Sequence, residues 1–507
     1  MIRLVALTRE WFDEALESNG GDASVEYLWD YLAELGAKTV LVEDDYIDRH
    51  FLDEFSHYYA RAFQVPSARC QRFHFFAGDG EIDGLLNAAM TGDRSTRRDQ
   101  QRKLNEKYLG FVVRRPLRNA PLGRTVLKTY PPDGGRRHYT AVRTYRVHVM
   151  GLTLKVDGLA YQQQDGGAAV CASTALWSAL QNIAKTAGHR TPTPFEITTA
   201  SGSPFAASFG LDDRQMAVAL SKLGYAADYL TPAENRARFR ATLGVSLRSR
   251  LPVILLVSRT EETGAGKIRV GHAIAVTGFA LDDTSRPIAV PMAYGLPPVP
   301  MIEAAIETIY AHDDNLGSHA HYELFDWDDE KSDSGHLALG LLRGRSAGPH
   351  KAWWTPDEWR VDAALIPKPP KLRMPIENLF DFVSSFSAQL FPLLFPQVPL
   401  HFGARITTGI DYREDVLNQG LSPAQMREFQ ERLSLPRFVG LITARIAEHT
   451  LCEFAVDVTA IDRQCDAESI LGVIAPRVEL HSAMWKRLDA FSKAFKIPLI
   501  TAPASTP

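Results

Sequence analysis

The chain is poor in cysteine. Its 507 residues hold four, Cys70, Cys171, Cys452 and Cys465, and no two form a CxxC pair. That scatter excludes a disulfide scaffold and a cysteine-built zinc site, and reduced thiols are expected. Long apolar runs are also missing. The opening MIRLVALTREWFDEAL is interrupted by acidic residues within a dozen positions, and LFPLLFPQVPL (390–400) is short and cut by prolines, so neither reads as a secretory leader or a spanning helix. A soluble, cytoplasmic protein without a membrane partner is the expectation. No internal repeat is present, and no helix-turn-helix, zinc-finger or stacked-aromatic RNA-binding pattern.

What the chain does have is ordinary globular composition, 45% apolar and 23% charged, at a length that suits two to four domains. The net charge of −4 conceals an asymmetry, because residues 91 to 148 carry 15 Lys and Arg against 4 Asp and Glu. A basic stretch of this kind can attract an acidic partner or nucleic acid, or dock on an acidic surface of the same chain. A solvated face is the plainer alternative.

Patterning divides the chain into three parts with an α+β fold class. Residues 1–135 read as a mixed α/β domain. AKTVLVE is a strand, and an amphipathic helix follows with Ile47, Phe51, Phe55, Tyr58 and Ala62 on one face and Asp44 or Asp45 as cap. FHFFAG and YLGFVVRRPL are strands joined by a charged connector, and PPDGG marks a boundary. Residues 136–370 open with an extended stretch, continue with a helix after Cys171 (Leu176, Leu180, Ile183 and Ala187 on one face) and a helix capped at Asp212 or Asp213, and end in LPVILLVS, RVGHAIAVTGFAL, ETIYAHDD and SHAHYELFDW, four strands expected to form an antiparallel sheet. Residues 371–507, after KPPK, form an α/β accessory domain whose SPAQMREFQERL helix opens at Ser422 and Pro423.

Cys171 stands between a glycine pair and the first turn of an apolar-faced helix. A helix N-terminus favours the thiolate through unpaired N–H groups and the dipole. A histidine must then hold the proton and a carboxylate or amide must orient the ring. His272 opens the apolar strand HAIAVTGF, and Asp313 and Asp314 end IYAHDD, the next strand.

This order, cysteine at a helix start, histidine on a strand and aspartate at the end of the next, resembles the papain-like cysteine peptidase superfamily, and more narrowly the C39-type peptidases. The similarity spans residues 155 to 325 and includes a glutamine ahead of the cysteine, the second helix DDRQMAVALSKLGY, the strand LPVILLV and the strand GHAIAVTGF. It implies Cys171 as nucleophile, His272 as base and then acid, and Asp313, with Asp314 as the alternative, orienting the imidazole. It also implies an oxyanion hole built from the Cys171 N–H and a glutamine amide, Gln164 first and Gln163 or Gln162 behind it. The chain departs from the group in placing Val170 and Ala172 beside the cysteine.

The activity implied is a thiol hydrolase that cuts a peptide or isopeptide bond of a peptide or protein substrate through a covalent thioester, with no cofactor. Two other readings use the same residues. An acyl or amine transferase differs only in the nucleophile that resolves the thioester, and a non-catalytic module would keep the fold to bind protein or nucleic acid. A separate chemistry is offered by His312, Asp314, His319 and His321, which supply nitrogen and oxygen ligands for a divalent ion. TGAGKI imitates a phosphate loop but carries Ile268 where Ser or Thr must hold magnesium, and reads as a hairpin turn.

Overall fold

A computed structural model gives the structure of residues 2–17, 22–78, 80–131, 133–134, 136–165, 171–203, 210–233, 235–264, 266–281, 286–292, 295–327, 335–342, 359–396, 398–418, 422–447, 449–459, 469–477 and 482–503. Cys465 and the glycine pair before Cys171 lie outside the described residues. The fold class is α+β, with most strands paired antiparallel and helices packed around the sheets. No described helix is long and apolar enough to cross a membrane.

Short apolar runs in the first 130 positions build a five-stranded antiparallel meander, Ile2–Ala6, Ala37–Tyr46, Cys70–Ala77, Tyr108–Arg114 and Leu122–Leu127, in chain order, its inner strands buried on both faces. The second strand runs further than its apolar core, because Glu43 and Tyr46 still pair with Arg72 and Cys70. The helix that follows therefore starts later than expected. It spans Arg49–His57 and is capped by Asp48, whose Oδ1 accepts from the His50 and Phe51 N–H groups at 3.0 and 3.2 Å; Asp44 and Asp45 are not its caps. The expected charged connector is a pair of helices, Glu81–Thr91 and Arg94–Lys107. The second carries much of the exposed charge of the basic stretch and buries only Leu104. Other cations of the stretch are internal. Arg115 is buried, with Glu54 at 3.6 Å and Asp165 at 3.7 Å, and Arg124 sits 2.8 Å from Asp48.

The extended stretch after PPDGG is a hairpin, Arg143–Val149 with Leu152–Gly158, turned at Met150 and Gly151, both at positive φ. Further on, six strands close into a barrel: Val253–Thr263, Gly266–Ala280, Thr308–Asp313, Gly317–Trp327, His336–Leu341 and Trp359–Lys368, the last pairing back to the first. The four strands expected to run antiparallel do so, and TGAGKI is the hairpin turn between the first two. A third sheet takes His401–Thr408, Phe438–Ile446, His449–Asp457, Ile470–Arg477 and Leu499–Pro503 from the C-terminal part. The two strands at one end of it, Val299–Met301 and the edge strand Ile288–Val290, come from within residues 136–370, so this sheet does not stop at a boundary near 371.

Period-two alternation on the strand Gly266–Ala280 explains how the barrel meets the cysteine helix. Ile274 and Val276 belong to the core of the barrel, whereas Ala273 and Ala275 belong to a second core shared with Ala172, Ala175, Leu176 and Ala179 of the helix. Alanines on both surfaces bring helix and strand close together.

Candidate active site

The helix Cys171–Ala187 starts at Cys171, which is half-buried. From Ala172 to Gln181 every residue is buried, polar ones included, so the helix is set by specific anchors as well as by its apolar face. Trp177 donates its indole N–H to His50 Nδ1 at 3.2 Å, and Ser178 donates to the Ala160 carbonyl at 2.9 Å. Arg143 donates to the Gln181 carbonyl at 2.9 Å. These contacts tie the helix to the first sheet's helices and to the hairpin, and hold its first residue in place.

His272 is hydrogen-bonded to the Cys171 side chain. His272 Nε2 lies 2.9 Å from Asp313 Oδ1 and 3.6 Å from Asp314 Oδ1. Asp313 ends its strand, and its pairing with Gly317 closes the turn to the next. Its carboxylate is held from two directions: the Asn315 N–H donates to Oδ1 at 3.0 Å and the Tyr322 hydroxyl to Oδ2 at 2.5 Å. Ile309 and Ala311 on one strand and Ala320, Tyr322 and Leu324 on the next fill the barrel core, so the phenol that holds the carboxylate stands in an inward-facing row, opposite Ile309, while Asp313 follows a bulge at the end of its strand. The ring of Trp359 lies 5.4 Å from that of His272, and the Arg259 guanidinium stacks 4.6 Å from the Trp359 ring.

The electrostatics follow from burial opposed by partners. Burial alone would push the His272 imidazole down, but the charge and hydrogen bond of Asp313, the contact with Cys171 and the charge of Asp314 hold it well above the ordinary histidine range. Asp313 is held below the ordinary carboxylate range, since the charge and hydrogen bond of His272 and the bonds from Tyr322 and Asn315 outweigh burial. Asp314 lacks the side-chain hydrogen bonds that support Asp313. Burial pushes its carboxyl up to about 7, with the charge of Asp313 adding and that of His272 opposing.

Of the sequence-derived residues, Cys171, His272 and Asp313 come together in one hydrogen-bonded line, and Asp314 stands beside it. Gln164 donates to Asn315 Oδ1, the residue whose N–H supports Asp313. The other two glutamines are engaged elsewhere: Gln162 donates to Glu54 Oε1 at 2.8 Å, while Gln163 donates to Asp22 at 3.1 Å and accepts from the Leu122 N–H at 3.2 Å. Tyr322, Asn315 and Trp359 were not singled out from the sequence. A tyrosine at an inward-facing strand position is the one signal that was available, because its hydroxyl needs a buried partner.

The histidine-rich segment does not assemble into the metal site weighed from its spacing. His312 uses both ring nitrogens, Nδ1 accepting from the His319 N–H at 3.0 Å and Nε2 meeting the Leu159 carbonyl at 3.1 Å. His319 sits at positive φ in a bulge and bonds Thr277 through Nδ1, and His321 packs against Tyr130 and Tyr310. No family model matches the sequence, and no curated protein matches it.

Proposed function

We propose that the protein is a thiol hydrolase of papain-like design, a cysteine peptidase that cuts a peptide or isopeptide bond through a thioester on Cys171. The observation that carries this reading is the continuous line from the Cys171 thiol through the His272 imidazole to the Asp313 carboxylate, with Tyr322 and Asn315 fixing the carboxylate. A helix carrying the thiol against a barrel carrying the other two is the framework such an enzyme needs.

The chemistry runs in two halves. His272 takes the thiol proton, and the Cys171 sulfur attacks the substrate carbonyl carbon, giving a tetrahedral oxyanion. The Cys171 N–H at the helix start faces the developing charge, and Gln164 is the amide that can join it once it leaves Asn315; each such donor contributes on the order of 3 kcal/mol. His272 returns the proton to the leaving amine as the C–N bond breaks. Water, deprotonated by His272, then attacks the thioester and releases the acid and the thiol. Throughout, Asp313 holds the ring in one orientation and offsets its positive charge.

The test begins with iodoacetamide alkylation of Cys171, followed by mass spectrometry at neutral pH in the native chain and in His272→Ala. Slower labelling in the variant, by about tenfold or more, is expected if the imidazole activates the thiol. Equal rates would overturn the reading. A peptide and isopeptide library then reports hydrolysis that Cys171→Ser abolishes, and a product carrying an added amine would assign transfer instead.

A further inference from the structure

His272 Nε2, an Asp313 oxygen and an Asp314 oxygen lie within 4.8 Å of one another. Asp313 is fully engaged. Asp314 is not: its side chain is 2% exposed, and among the described residues neither of its oxygens accepts a hydrogen bond. Its Oδ1 points at the same ring nitrogen that Asp313 holds, 3.6 Å away. Buried carboxylates normally have donors or a cation, because desolvating bare oxygens is costly. The catalytic line uses one carboxylate and leaves the second without a role.

We infer that His272, Asp313 and Asp314 form a site for a divalent cation of the zinc type, and that its occupancy silences Cys171. One imidazole nitrogen and two carboxylates with an open fourth position make a ligand set typical of zinc. Separations of 2.9 and 3.6 Å from the ring nitrogen bracket the edge of roughly 3.3 Å expected for a tetrahedron with bonds of about 2.0–2.1 Å. Two carboxylates balance the charge of the ion with the imidazole neutral. Calcium and magnesium fit poorly, since they take more oxygens and tolerate nitrogen badly.

The silencing follows from the two nitrogens of one ring. Nε2 faces the carboxylates, which leaves Nδ1 for Cys171. An imidazole that ligates through Nε2 keeps its proton on Nδ1. It can then donate to the sulfur but cannot accept the thiol proton, so the nucleophile loses its base while the geometry stays intact. This second clause rests on the thiol-hydrolase reading; the cation site does not.

The experiment uses Co2+ and Zn2+ on the full-length chain. In Cys171→Ala, Co2+ titration followed by absorption should show one ion bound per chain. Asp314→Asn and His272→Gln, each in that background and checked for folding by circular dichroism, should weaken binding by about tenfold or more. Binding as tight in a folded variant as in its parent overturns the site, and His272→Gln decides if Asp314→Asn does not fold. With Cys171 present, Zn2+ should slow alkylation about tenfold relative to chelator-treated protein. Unchanged alkylation, or a sulfur-to-cobalt charge-transfer band, overturns the silencing. Failure of the hydrolase reading is distinguishable, because it appears as equal alkylation of native chain and His272→Ala without any metal and leaves the cobalt titration in place.

Discussion

Tyr322 donates its hydroxyl to Asp313 Oδ2 while His272 is held by Oδ1, so a barrel tyrosine and the imidazole share one buried carboxylate. The two contacts define Asp313 as a positioning group with a fixed plane. Asp313→Asn should lower turnover on the order of 10⁴-fold, because an amide that presents its NH2 to the ring selects the wrong tautomer. Tyr322→Phe should cost about tenfold in kcat with little change in KM, and about 1 kcal/mol of stability. Steady-state kinetics on a substrate found by library screening, with urea denaturation alongside, reads both.

Gly317 sits opposite Asp313 and under the ring of Tyr27. A Cβ added there would lie 2.1 Å from Tyr27 Cδ1 and 2.6 Å from Cε1. Tyr27 is itself anchored by a hydrogen bond to the Ser318 carbonyl at 3.0 Å, so it cannot simply swing away. Gly317→Ala should therefore destabilise the protein by about 1–3 kcal/mol through overpacking. A fall in the urea midpoint measures this, and slower Cys171 labelling would report displacement of the Asp313 turn.

Trp177 lies at the centre of the cysteine helix, fully buried and hydrogen-bonded to His50. Trp177→Ala should cost about 3–5 kcal/mol, the range for removing a large buried aromatic. Differential scanning calorimetry on both proteins checks the figure.

Glu54, fully buried, supplies a pH dependence of its own. Burial pushes its carboxyl up to about 8, against the pull of Arg115 and the Gln162 hydrogen bond and with the added push of Asp165 and Asp48; Tyr59, which donates to Asp165, faces the same group. The folded state therefore binds this proton more tightly than the unfolded state does. The contribution is fully present below the ordinary glutamate range near 4.3 and is lost as pH rises through about 8. The thermal midpoint of the native chain should fall across that window, and Glu54→Gln, which keeps an acceptor for Gln162, should flatten the slope. Parallel slopes would show that the proton is bound elsewhere.

Much of the site was legible because its chemistry is local. Cys171 at a helix start, His272 in a run of small and β-branched residues and Asp313 at a strand end each carry their signal within a few positions. Features that depend on what packs against them were not legible. The helix Arg236–Arg248 gives no periodic pattern, because its residues from Phe239 to Leu247 are buried on all sides and Arg240 finds the Ile306 and Leu324 carbonyls only across the fold. The helix Arg94–Lys107 hid behind its charges, since a helix that buries one leucine has almost no apolar face to read.

By itself, then, the sequence determined the strand and helix segments around the site and the order of Cys171, His272 and the aspartate pair along them, since capping and period-two alternation act over a few residues. Only the tertiary structure decided between Asp313 and Asp314, withdrew Gln162 and Gln163 into other contacts, tied up His312 and brought Tyr322 to the carboxylate. Neighbouring aspartates are equivalent along the chain. They differ only through barrel closure and the turn at Gly317, which give one carboxylate three hydrogen-bond partners and bury the other with no hydrogen-bond donor among the described residues.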